Sequence, residues 1–217
     1  MNKIFNINLG GYPFVIDDDA YQKLDKYLNT IRKHFRKSEG CDEIVGDIEA
    51  RIAELFNEHA KGQPIVGMRD VEGVIQIMGT PAEFGAEADE LIEDEPKKSR
   101  SKTKSGAKYT TGKRLYRDAD DKVIGGVCSG MAAYFGFEDP LLFRLLFAVL
   151  FFSGVGLLLY ILLWIIVPKA KTSSDKLSMK GEPVNVNNIA KQVEEELNNL
   201  STTITDFAKD ISNKNWK

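Results

Sequence analysis

Leu141–Val167 reads LLFRLLFAVLFFSGVGLLLYILLWIIV, and only Arg144, Ser153, Gly154 and Gly156 in it fall outside the hydrophobic set. No residue from Leu145 to Pro168 carries a charge. As one helix those positions reach roughly 36 Å at about 1.5 Å per residue. A bilayer core about 30 Å thick takes around 20 apolar residues. A buried helix this long would need comparable apolar mass around it, and the rest of the chain has none. The run therefore predicts one transmembrane helix over 141–167. Tyr160 and Trp164 sit near its far end and Arg144 one turn inside its near end. Those three are the expected membrane-interface residues, with the Arg144 side chain snorkelling to the headgroups or pairing with Glu138 or Asp139. The alternative is a bend at Ser153–Gly156 that folds the run into a hairpin of two short helices. Each half is then too short to span, so the single pass is preferred.

Charge is arranged around this run. Residues 1–96 carry 10 basic and 20 acidic side chains, and residues 97–117 carry 9 basic and none acidic. The near-neutral total of −3 is thus a cancellation between blocks, a pattern that points to a membrane or a polyanion. The cations Lys97, Lys98, Arg100, Lys102, Lys104, Lys108, Lys113, Arg114 and Arg117 form a basic tether facing lipid. With no apolar leader at Met1–Leu9, the positive-inside rule puts the N-terminus in the cytoplasm and the tail outside. Anionic lipid beside a membrane span is the expected partner of the tether; nucleic acid is not.

Residues 1–92 read as a small cytoplasmic module of a β-hairpin and helices. Ile4–Leu9 and Tyr12–Ile16 flank Gly10-Gly11, a hairpin signal, and Pro13 marks an edge strand. A first helix presents Leu24, Tyr27, Leu28, Ile31 and Phe35 on one face, and a second presents Ile44, Ile48, Ile52, Leu55 and Phe56. Asp70 opens a shorter helix, and Ala82–Leu91 a further one. The carboxylates read as solvated helix faces. No metal-binding, phosphate-binding or nucleophile motif is present, and two Cys and two His leave little for metal or disulfide chemistry. No catalytic residue, cofactor or metal is expected, and the chain is read as non-enzymatic. Residues 93–112, polar and rich in Lys, Ser and Thr, read as a disordered linker.

The stretch before the run has its own pattern. Val123–Phe137 is apolar but too short to span, and reads as an interfacial helix over 123–137. Gly126, Gly130 and Ala133 share one face of it and are the expected close-packing positions. Cys128 reads as a small packing residue ahead of a redox one. The order of motifs is Lys113–Arg117 (KRLYR), Val123–Gly136 (VIGGVCSGMAAYFG), Asp139–Phe147 (DPLLFRLLF) and Leu163–Pro168 (LWIIVP). In order and spacing, residues 113–169 closely resemble the phage shock protein C (PspC) domain. The resemblance implies a bacterial inner-membrane protein of envelope-stress signalling that works through protein partners.

In the tail, 170–217, residues 189–211 carry Ala190, Val193, Leu197, Leu200, Ile204, Phe207 and Ile211 at alternating spacings of three and four. This is a three-heptad seam. It implies self-association through Val193, Leu197, Leu200, Ile204, Phe207 and Ile211, or an amphipathic helix folding onto the N-terminal module or the membrane.

The fold class expected is a mainly α membrane protein: a small N-terminal β-hairpin plus helical module, an interfacial helix, one transmembrane helix and a C-terminal amphipathic, coiled-coil-like helix. The function expected is regulatory, sensing membrane state at the inner (cytoplasmic) membrane, with the N-terminus cytoplasmic. The alternative is an oligomeric membrane-active effector or pore component. The expected partners are the lipid bilayer with anionic lipids, a regulatory protein, and a second copy of the chain.

Overall fold

The computed structural model describes residues 3–59, 65–85, 113–121, 123–137, 139–152 and 154–214. In chain order the elements are β1 (Ile4–Leu9), β2 (Tyr12–Asp17), α1 (Asp18–Phe35), α2 (Cys41–His59), α3 (Met68–Met78), α4 (Val127–Phe135), α5 (Leu141–Phe152), α6 (Val155–Ile166), α7 (Ser173–Lys180) and α8 (Val186–Lys214). They form two compact units, one of residues 1–101 with 185–217 and one of residues 102–184. The expected linker, 93–112, lies outside the described residues, as does most of the expected helix Ala82–Leu91.

The first unit is built on a β-hairpin and a layer of helices. β1 and β2 pair antiparallel from Ile4↔Asp17 to Leu9↔Tyr12. Gly10 and Gly11 both take positive φ, +55° and +87°, which a two-residue hairpin turn of this hand requires. Val66 extends the pairing on the β2 side, donating to the carbonyl of Val15 and accepting from Asp17. α1 begins with Asp18 and Asp19 and ends with Arg32, Lys33 and His34, a charge order that suits the helix dipole. Ile16, Leu24 and Ile31 join Ile44, Ile48, Ile52 and Phe56 of α2 and Val71 and Met78 of α3 in the core. The first turns of α8 complete that unit. Ile189 and Val193 are buried, and the Val193 and Leu197 side chains lie against Gly40 in the α1–α2 turn. Asn187 Nδ2 donates to the Glu83 carbonyl at 3.2 Å. One folded unit therefore draws on both ends of the chain.

In the second unit the expected transmembrane helix is not formed. The apolar run is two 12-residue helices, α5 and α6, packed side by side. Gly154 breaks it with φ +76°, a conformation that no continuous helix contains. Gly156 then lies against the Leu150 backbone, where a Cβ would overlap it. Each arm is about 18 Å long at about 1.5 Å per residue, short of a bilayer core about 30 Å thick. Among the described residues no helix is long and apolar enough to cross a membrane.

α4 is also shorter than the helix expected over 123–137. Gly125 and Gly126 both have positive φ, so the helix starts after them at Val127, and Gly136 ends it in the left-handed region. α7 lies where the sequence, SSDKLSMK, carries no apolar helical period. It is held by a reciprocal cap, Asp175 N to Thr172 Oγ1 at 3.1 Å and Thr172 N to Asp175 Oδ2 at 3.3 Å. Gly181 closes it with φ +78°.

Candidate functional site

At the base of the α5–α6 hairpin, Arg144 near the start of α5, Tyr160 midway along α6, and Trp164 and Val167 at its end reach residues of the stretches 113–121 and 123–129. Arg117 binds both ends of the domain. Its backbone pairs with the exit segment, Arg117 N to the Pro168 carbonyl at 2.8 Å and Ala170 N to the Arg117 carbonyl at 3.0 Å. Its guanidinium donates to the Val167 carbonyl at 2.8 Å and the Gly125 carbonyl at 3.3 Å. The chain thus enters the apolar hairpin and leaves it at neighbouring positions.

Arg144 pairs with Asp121 at 2.7 Å, not with Asp139, and its guanidinium also lies 3.4 Å from Ser129 Oγ. The Ser129 hydroxyl donates to the Asp121 carbonyl. The Tyr160 hydroxyl donates to the Ile124 carbonyl, and the Trp164 indole lies over Gly125. The turn Val123–Gly126 is therefore clasped from α6 and from Arg117. The expected interface residues Arg144, Tyr160 and Trp164 all lie at this collar.

The close-packing positions Gly126, Gly130 and Ala133 have an unexpected neighbour. A Cβ at Gly126 would overlap the Asp118 carbonyl, and one at Gly130 the Tyr116 carbonyl. The glycines admit the backbone of residues 116–118; Ala133 is half-buried. Cys128, Ala132, Phe143 and Phe147 form the small core beneath, with Met131, Tyr160 and Leu163 against it. Burial pushes the Cys128 thiol up from its ordinary value, more than the Arg144 charge pulls it down, so at neutral pH it is a packing group and not a thiolate.

Below the collar the hairpin is apolar and exposed. Leu145, Val149, Val155, Leu158 and Ile165 face outward, and Phe152 at the tip is 91% exposed. Large exposed apolar surfaces mark sites of contact with a membrane or another protein. A cleft of about 520 Å³ runs along the hairpin from Phe151 and Phe152 to Arg144 and Ser129 at the collar.

The tether cations Lys97, Lys98, Arg100, Lys102, Lys104 and Lys108 lie outside the described residues. Lys113 reaches the Tyr134 carbonyl at 3.3 Å, Arg114 N donates to the Ser178 carbonyl at 3.3 Å, and Arg117 is spent on carbonyls as above. Of the tail seam, Val193 is buried, Leu197 half-buried, and Leu200, Ile204, Phe207 and Ile211 exposed.

The collar, the bridged entry and exit segments and the apolar hairpin together span one sequence region. Residues 113–170 match the PspC domain family. The PspC domain thus covers about a quarter of the chain, and its first and last residues are close to those joined at the Arg117–Lys169 bridge. PspC domains are associated with the bacterial membrane stress response of the phage-shock type and are generally non-enzymatic. No curated protein and no solved structure matches the chain.

Sequence reasoning missed Asp121, Ser129 and the carbonyl clamp of Arg117. A charged residue inside an apolar run signals that a partner exists. Nothing in helical periodicity points to one 23 positions upstream.

Proposed function

We propose that this chain is a non-enzymatic regulator of a bacterial phage-shock-type stress response. It docks on the cytoplasmic face of the inner membrane through its PspC domain and signals through protein contacts of its other unit. The α5–α6 hairpin dips into the near leaflet and returns, with the collar at headgroup level and the basic tether on anionic lipid. The observation that carries this reading is the packing of α8 on the α1–α2 turn, Gly40 against Val193 and Leu197. A unit assembled from both ends of the chain has no bilayer between those ends. The Arg117–Lys169 bridge agrees, since it holds the two feet of the hairpin together. Leaflet thickness and packing would set how deeply so short a hairpin sits, and that depth is the quantity sensed. The exposed stripe Leu200, Ile204, Phe207 and Ile211 is the surface through which a regulatory partner, or a second copy, is engaged.

Flotation of the full chain with vesicles tests the docking. Binding should persist in high salt, because the hairpin is apolar, and fall sharply for Phe152→Asp. Release by salt alone would point to a purely electrostatic peripheral protein and overturn the reading.

A further inference from the structure

We infer that the cleft along the hairpin is a binding site for one anionic phospholipid, an acyl chain lying against Phe147, Ala148, Phe151 and Leu157 and the phosphate at Arg144. The proposal rests on the membrane docking above and adds a specific ligand to it.

Three observations meet in this cleft. Its walls are apolar over nearly their whole length, and its volume of about 520 Å³ lies within the roughly 300–1,000 Å³ of small-molecule sites. Its polar atoms are concentrated at one end, where Arg144 and Ser129 sit. Its other end is lined by Phe151 and Phe152, on the hairpin tip that is exposed and apolar. The cleft is therefore amphiphilic along its axis, with the charged end at the collar and the apolar end at the depth of acyl chains. A peptide would bring backbone polar groups into walls that offer them no partner. An acyl chain brings none.

Arg144 is suited to the headgroup. Its side chain is one-third exposed and its partner Asp121 is more than half exposed. A pair so open to water is worth about 0–1 kcal/mol, so a phosphate can replace the carboxylate at little cost. The guanidinium is a planar donor that holds phosphate through two parallel hydrogen bonds. Asp121 then acts as an intramolecular competitor for the headgroup.

The test uses the full chain loaded from vesicles of phosphatidylcholine with phosphatidylglycerol. Flotation is measured first, and the lipid retained through detergent exchange is then counted by mass spectrometry. Wild type should retain about one phospholipid per chain, with phosphatidylglycerol preferred. Arg144→Gln should still float yet lose that preference by about tenfold, the equivalent of one charge-assisted hydrogen bond. Asp121→Asn should strengthen it. Ala148→Trp should reduce retention of both lipids. Chain-free glycerophosphoglycerol should not compete; competition equal to the intact lipid would reduce the site to an anion site and overturn the acyl half. Equal retention of the two lipids by wild type, or unchanged preference in Asp121→Asn, would overturn the lipid site while flotation leaves the docking reading standing. Should Arg144→Gln not fold, Asp121→Asn carries the decision by its opposite sign. Failure of wild type to float would remove both.

Discussion

Gly126 and Gly130 are where single atoms matter most. Each admits a backbone carbonyl of the entry segment, Asp118 and Tyr116 respectively, where a Cβ would overlap. Gly130→Ala should destabilise the PspC domain by about 1–3 kcal/mol, read as a lower thermal midpoint of the detergent-solubilised chain. Gly46→Ala in α2, where a Cβ meets nothing, should instead stabilise by about 0.5–1 kcal/mol through helix propensity. Equal effects at the two sites would contradict the packing described. Tyr27 supplies a pH dependence. Its hydroxyl donates to the Gly79 carbonyl at 2.8 Å, and burial, then the nearby Glu83 charge, raises its pKa. The unfolded chain ionises this phenol near about 10, while the folded chain keeps it neutral. Its stabilisation is therefore complete below about pH 10 and declines as the pH rises above that value. Denaturant titrations should show this alkaline decline in wild type and a shallower one in Tyr27→Phe.

At the scale of elements, what the sequence made legible was set by periodicity. The faces of α1, α2 and α3 are read directly from the spacing of Leu24, Leu28 and Ile31, of Ile44, Ile48 and Ile52, and of Val71 and Val74. The Gly-Gly hairpin was equally plain. The apolar run was not, because hydropathy measures transfer into lipid and is blind to a bend. Ser153-Gly154 was the local signal, and at Gly154 the left-handed backbone decides the matter. α7 escaped because SSDKLSMK has no apolar period, although Thr172, Asp175 and Gly181 spell its caps. The collar was legible only in Arg144, Tyr160 and Trp164. Asp121, Ser129 and Arg117 become part of it through long-range contacts that no local pattern encodes. α8 divides between two roles, and substitution should separate them. Leu200→Asp with Ile204→Asp should leave the fold of the first unit intact and abolish partner capture or self-association, measured by pull-down and light scattering. Val193→Asp should unfold that unit, since it puts a charge among buried residues.

For the whole molecule, the arrangement of charge and apolarity along the chain has a different meaning once both ends belong to one unit. An acidic module, a basic tether and an apolar run suggested a chain threaded through the bilayer once. The hairpin with its bridged feet brings the two ends of the apolar run together, and the return of α8 to the α1–α2 turn brings both ends of the chain into one unit, as the proposed dip into one leaflet requires. Under the docking proposed above, the basic residues mark the face that meets anionic lipid. The most direct measurement is cysteine accessibility in intact bacterial cells. With Cys41 and Cys128 replaced by serine, single cysteines at Lys3→Cys and Lys209→Cys are treated with a membrane-impermeant maleimide before and after inner-membrane permeabilisation. Both should be protected in intact cells and labelled once the membrane is opened. Labelling of Lys209→Cys, but not Lys3→Cys, from the periplasmic side of intact inner membranes would contradict the account.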